Sequence, residues 1–198
     1  MDTRKTRTWA EVSLGALRHN VEEMQRALPD GCGLLGVVKA DAYGHGASEI
    51  AAALRECGCR YLAVACPQEA LALRQAGETM PILILGAVDA AFASDMAAND
   101  ITLSVECAEK GRALSAALRG GERLRIHLKL DTGMGRLGFR VQDETALREA
   151  AAVAQLPNLD AEGVFTHFSV SDTPGEEEYT AAQLALFLSA VEKLEAMT

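Results

Sequence analysis

The sequence predicts an α/β fold of the (β/α)8 TIM-type barrel class, with about six of the eight β/α units written in its 198 residues. Three observations carry this expectation. Apolar strand-like runs alternate with helix-period segments, no linker or low-complexity stretch divides the chain, and a long amphipathic segment follows the sixth run.

A first helix, beginning near Glu11 and carrying Leu14, Leu17 and Val21 on one face, precedes the first strand and flanks or plugs the sheet. The strand runs are LLGVVK, YLAVA, PILILGA, ITLSV, LRIHLKL and LDAEGVFTHF. Helix-period segments such as ASEIAAALREC, QEALALRQAG and DETALREAAAVA stand between them, and strand-then-helix repeated six times requires a parallel sheet. An open doubly wound sheet and a barrel both satisfy that alternation. The final segment decides between them. TAAQLALFLSAVEKLEAM sets Leu184, Phe187, Leu188 and Val191 at i, i+3, i+4, i+7 spacing, a helix that should lead to another strand. A complete barrel takes about 250 residues, so the expectation is a barrel cut before closure, with unpaired edges that favour oligomerisation.

Composition narrows the function classes. With 49% apolar and 24% charged residues, the chain reads as an ordinary globular domain. Twenty-eight acids against 19 bases leave a formal charge of −9. No basic stripe with interleaved aromatics offers a footprint for nucleic acid, and an anionic membrane is equally unsuited. The basic start MDTRKTRTWAEV lacks an apolar run and no stretch approaches eighteen apolar residues, so a cytoplasmic protein is expected. Five cysteines without paired CxxC spacing point to reduced thiols rather than a metal site.

Two loops carry candidate chemistry. In LLGVVKADAYGHG, Lys39 ends an apolar run; its ammonium either reaches out to water or stays where desolvation lowers its pKa toward reactivity. In KLDTGMGRLGF, Gly133, Gly135 and Gly138 spell GxGxxG, with Asp160 at the spacing of a ribose contact. Dinucleotide binding is nevertheless rejected, because Phe139, Arg140 and Val141 intervene before Asp143 can cap a helix, and Arg136 sits inside the turn. Alternation along RIHLKL puts His127, Lys129 and Asp131 on one face, so Lys129 and Arg136 either converge or form a solvated or structural polar cluster. The sixth run places His167 at another carboxyl end, where barrels put their chemistry. Three strand ends bearing Lys39, Arg136 and His167 weigh more together than singly.

At these residues the chain resembles the alanine racemase family, the fold-type III pyridoxal-phosphate enzymes. The matching segments are TWAEVSLGALRHNV, VVKADAYGHG, LAVACPQEALALR, PILILGA, HLKLDTGMGRLGF and EGVFTHF, in family order over nearly the whole chain. The resemblance implies that Lys39 is the lysine joined to pyridoxal 5'-phosphate and that Tyr43 contacts its phosphate. It implies that Leu85 packs on the cofactor ring and that His167 lies near its pyridine side. Arg136 resembles the arginine that approaches the cofactor's phenolic oxygen and the substrate carboxylate, and Lys129 the lysine that can be carbamylated to orient it.

The resemblance further implies interconversion of L- and D-alanine for cell-wall D-alanine supply, by a homodimer in the full-length form. Residues 1–198 would be the N-terminal barrel portion, without the C-terminal β domain that in the family lends the opposing tyrosine to a partner subunit. The last two barrel strands, which in the family bring the pyridine-nitrogen arginine and more phosphate contacts, would also be absent. A single base leaves the second proton transfer to water, so this stretch alone is expected to be a poor racemase. Alternative readings are a serine or other small amino-acid racemase, a non-catalytic pyridoxal-phosphate binding protein, a related decarboxylase and a structural fragment without cofactor.

Overall fold

A computed structural model describes residues 8–198; the basic start of the chain, on which the expectation of a cytoplasmic protein partly rests, lies largely outside the described residues. Seven strands pair in parallel: β1 (Leu35–Val37), β2 (Tyr61–Val64), β3 (Ile82–Ile84), β4 (Ile101–Val105), β5 (Leu124–Asp131), β6 (Phe139–Arg140) and β7 (Leu159–Phe165). Strands β1 to β5 lie side by side in sequence order. β7 pairs with the body of β5, and β6 pairs with Leu130 and Asp131 at its end. Among the described residues eight helices longer than a single 3-10 turn accompany them: α1 (Leu14–Ala27), α2 (Lys39–Gly44), α3 (Ala47–Glu56), α4 (Pro67–Gln75), α5 (Ala93–Ala98), α6 (Ala108–Ala117), α7 (Glu144–Ala154) and α8 (Glu177–Glu195). Among the described residues no helix is long and apolar enough to cross a membrane.

One contact separates the two candidate architectures. β2 and β7 are four strand spacings apart, which in a flat sheet amounts to about 19 Å. The Tyr61 hydroxyl nevertheless donates to Glu162 Oε1 at 2.7 Å. The sheet is therefore curled like a barrel wall, which sets aside the open doubly wound sheet. The barrel is not closed, since β1 and β7 each remain an edge.

The two faces of this wall differ as alternation requires. Leu62, Ile84, Leu103 and Ile126 point outward into the core shared with helix residues such as Leu54 and Leu147. Each such fully buried side chain stabilises the fold by about 1.5–3 kcal/mol. On the opposite face Thr102 donates to Glu162 Oε1 at 2.9 Å, and His127 Nε2 stands 3.4 Å from the same oxygen. Burial, with Glu162 adding to it against the Thr102 bond, pushes the Tyr61 phenol up to about 12. The His127 imidazole is held below its ordinary range by burial, against the pull of Glu162.

Helix starts follow their caps. α1 begins at Leu14 rather than near Glu11, because Ser13 Oγ accepts the Ala16 N–H at 3.1 Å and fixes the first turn there. α4 starts with Pro67 at its first position, and Asp143 caps α7 by accepting the Thr145 N–H at 2.8 Å. The short β6 occupies Phe139–Arg140, two of the residues that separate the GxGxxG glycines from α7.

Candidate active site

All parallel strands point their carboxyl ends the same way, and each sequence-predicted site residue lies at that end. Lys39 directly follows β1 and its neighbour Val38, Leu85 directly follows β3, Lys129 and Arg136 belong to the end of β5 and its loop, and His167 lies two residues past β7. Parallel register fixes these ends side by side: Val37 pairs with Ala63, Ile84 with Leu103, and Lys129 with Phe165.

Lys39 is half-buried and opens an unusual turn. Ala40, Asp41, Ala42 and Tyr43 all take φ between 52° and 55°, so α2 is left-handed. Left-handed helical backbone costs about 1–2 kcal/mol per non-glycine residue, and such strain persists only where the surroundings over-determine it. Several bonds do so here. Ala42 N–H donates to Val38 O at 2.9 Å, Gly46 N–H to Asp41 O at 3.0 Å, and Ala47 N–H to Asp41 Oδ1 at 2.7 Å. His45 Nδ1 lies 2.8 Å from Ala42 O. The turn carries Tyr43 to the surface, 60% exposed, with the Lys39 ammonium 5.9 Å from the centre of its ring.

Lys129 is the buried lysine of the site, only 7% exposed. Its Nζ donates to Leu130 O at 2.8 Å and lies 5.5 Å from the centre of the Phe165 ring. Burial pulls its pKa below the ordinary lysine range; Asp131 opposes this and Arg136 adds to it. Asp131, expected on the same face, turns its carboxylate into its own loop. There it accepts the N–H groups of Gly133 and Gly135, each at 3.0 Å, and so shapes the turn that presents Arg136. Gly138 closes that loop against β5 with φ of 123°; a Cβ there would stand 2.7 Å from Lys129 O. Arg136 itself is exposed and, among the described residues, makes no ion pair.

Helix α8 ties this loop to the end of β7. The amide of Gln183, 1% exposed, donates to Thr132 Oγ1 at 3.1 Å and to His167 O at 3.3 Å, while its oxygen accepts the Ser169 N–H at 3.0 Å. Tyr179 donates to Gly133 O at 3.0 Å. Partial burial, followed by the positive charges of Arg136, Lys129 and Lys39, lowers the His167 pKa. Four cationic or cationisable side chains thus share one electrostatic neighbourhood. Leu85 lies along this rim, whereas Tyr43 stands out in solvent. One polar residue of the site escaped the sequence reading, Gln183, because it stands on a helix and not at a strand end.

This donor set suits pyridoxal phosphate. A primary amine, a guanidinium and a second, buried amine lie at one end of the wall, and the phosphate, the phenolic oxygen and a substrate carboxylate would each bring the negative charge such groups pair with. Leu85 adds an apolar surface to the same rim.

Comparison with known proteins bears on the family and the fold. The family model described as alanine racemase, N-terminal domain, matches residues 12–198. An alanine racemase from Desulforamulus reducens is 40% identical over 188 residues, covering 94% of this chain and 50% of that protein. The structure of a Clostridium difficile alanine racemase in complex with cycloserine superposes with a TM-score of 0.91 at 37% identity, covering 97% of this chain and 52% of that one. A histidine racemase from Leuconostoc mesenteroides aligns with a TM-score of 0.78 at 31% identity, covering 89% of this chain and 47% of that one. The chain spans about half the length of the curated relatives it matches.

Proposed function

The chain belongs to the alanine racemase N-terminal domain family, and from that premise we propose that it is the N-terminal barrel portion of a pyridoxal-phosphate-dependent enzyme that interconverts L- and D-alanine. The observation that carries this reading is the gathering of Lys39, Lys129, Arg136 and His167 at the carboxyl ends of one parallel wall. When bound, pyridoxal phosphate supplies an electron sink that acidifies the α-carbon of an amino acid joined to it.

In this reading Lys39 would hold the cofactor through its amine, and the same amine would take or return the proton at the α-carbon on its face. Tyr43 would bind the phosphate, Leu85 would support the ring and His167 would stand near its pyridine side. Arg136 would orient the substrate carboxylate and the cofactor's phenolic oxygen, and Lys129, once carbamylated, would hold Arg136 in place. Racemisation also needs an acid or base on the opposite face. The family resemblance gives that role to a tyrosine from a C-terminal domain of a partner subunit, so a cytoplasmic homodimer supplying D-alanine to the cell wall belongs to the proposal.

The likeness to a histidine racemase favours a second reading, in which the same machinery serves another amino acid. Incubation of the protein with pyridoxal phosphate and L-alanine, serine or histidine in D2O separates the two readings by proton NMR. The expected result is deuteration of the alanine α-carbon above the free-cofactor background, abolished by Lys39→Ala. Deuteration at background level, or unchanged in Lys39→Ala, contradicts the proposal; preference for another amino acid selects the second reading.

A further inference from the structure

We infer that Glu69 is a positioning residue for Lys39, an inference that rests on the role proposed for Lys39 above. Glu69 Oε1 accepts the N–H of Ala40, the residue directly after Lys39, at 2.7 Å. Its Oε2 accepts the N–H of Ala65, the residue directly after β2, also at 2.7 Å. One carboxylate on α4 therefore joins the ends of two neighbouring strands just where their own pairing stops.

The location gives this bridge its meaning. β1 and β2 pair as far as Val37 and Ala63, and Val38 N–H still donates to Ala63 O at 2.8 Å. Beyond that point the chain leaves the ladder and enters the left-handed turn, whose first residue is Ala40. The other hydrogen bonds of residues 40–47 to the turn stay within the segment 38–47. Glu69 holds its first amide from a different helix, and so fixes where the preceding residue, Lys39, leaves the wall.

A helix cap alone does not account for the contact. A glutamate at the third helical position ordinarily reaches back to the amide of the capping residue. Here the cap is Cys66, which makes no side-chain cap bond, and Glu69 reaches past it to Ala65 while its second oxygen is given to Ala40. Two backbone donors arriving from different segments require two acceptor atoms, which a carboxylate has. A glutamine can keep the Ala65 bond but then turns its NH2 donor toward the Ala40 N–H. Glu69→Gln thus preserves the cap and breaks the bridge.

The test measures two quantities in wild type, Glu69→Gln and Glu69→Asp. One is peptide-level hydrogen exchange across residues 38–46; the other is the rate at which pyridoxal phosphate with borohydride labels Lys39, with Lys110 and Lys193 as internal controls. The expected result in Glu69→Gln is exchange about ten-fold faster in that peptide, with peptides of β4 and β5 unchanged. Lys39 labelling is expected to slow by a similar factor while the control lysines keep their rates, and Glu69→Asp, which retains two oxygens, recovers part of both effects. Wild-type exchange in Glu69→Gln overturns the inference, and so does faster exchange with Lys39 labelling unaltered. If wild-type Lys39 takes no label, the proposed role of Lys39 fails separately, and the positioning inference falls with it even where exchange shows that Glu69 holds the turn.

Discussion

Lys129 Nζ donates to the carbonyl of its own neighbour, Leu130, at 2.8 Å, and among the described residues no carboxylate lies within ion-pair distance of it. A buried ammonium so placed disfavours the folded state. Its folded pKa lies below the 10.5 of a free lysine, so between the two values the unfolded chain binds more protons. The penalty is complete below the folded pKa and is relieved as pH rises toward 10.5. Lys129→Met is expected to raise Tm near neutral pH by about 2–4 °C, the shift that about 1 kcal/mol produces in a chain of this size. The gain should shrink in alkaline buffer. Leu130 O keeps a donor in the variant, since Thr166 Oγ1 bonds it at 3.0 Å. A Tm that falls, or a gain that grows with pH, is inconsistent with this account.

The same burial favours the neutral amine that reacts with carbon dioxide, and the nearby Arg136 guanidinium favours the anion that results. Addition of 13C-bicarbonate is expected to give a carbamate carbon signal that is absent from Lys129→Met. A spectrum without that signal between pH 7 and 9 removes carbamylation from the proposal.

His167 should titrate below 6.5 and be neutral at pH 7, because partial burial and three cations oppose its protonation. Arg136→Ala removes one of those charges and is expected to raise the midpoint, and inorganic phosphate bound among the cations should raise it as well. NMR titration of the four histidines checks both shifts. A midpoint at or above 6.5 that ignores Arg136→Ala contradicts the shared neighbourhood.

Gln183 joins the Arg136 loop to the His167 segment. Gln183→Leu leaves the Ser169 N–H without its side-chain acceptor and removes the donor to Thr132, so a loss of about 1–3 kcal/mol is expected in chemical denaturation. Exchange should quicken first in residues 166–169. An unchanged denaturation midpoint argues that α8 docks without help from Gln183.

The sequence and the structure part company where tertiary contacts decide. Strands such as ITLSV and LRIHLKL announce themselves by apolar alternation, and the strand ends bearing Lys39, Lys129 and His167 follow from them. β6 does not, because two residues, Phe139 and Arg140, are too short for any period. The left-handed turn is also hidden, since Ala40 to Tyr43 include no glycine and favour right-handed backbone when considered locally. Besides its own local bonds it receives one from Glu69, whose partner amides lie 29 and 4 residues away in the chain. Alternation places Tyr61 and Thr102 on the polar face of the wall, but only the curl of the sheet brings Glu162 to them.

Reduction of the protein with borohydride in the presence of pyridoxal phosphate, followed by peptide mapping, tests the central claim most directly. The account predicts a pyridoxyl label on Lys39, in the peptide containing VVKADAYGHG, and its loss in Lys39→Ala with the fold retained. A label on Lys110, Lys129 or Lys193 with Lys39 unmodified would contradict it.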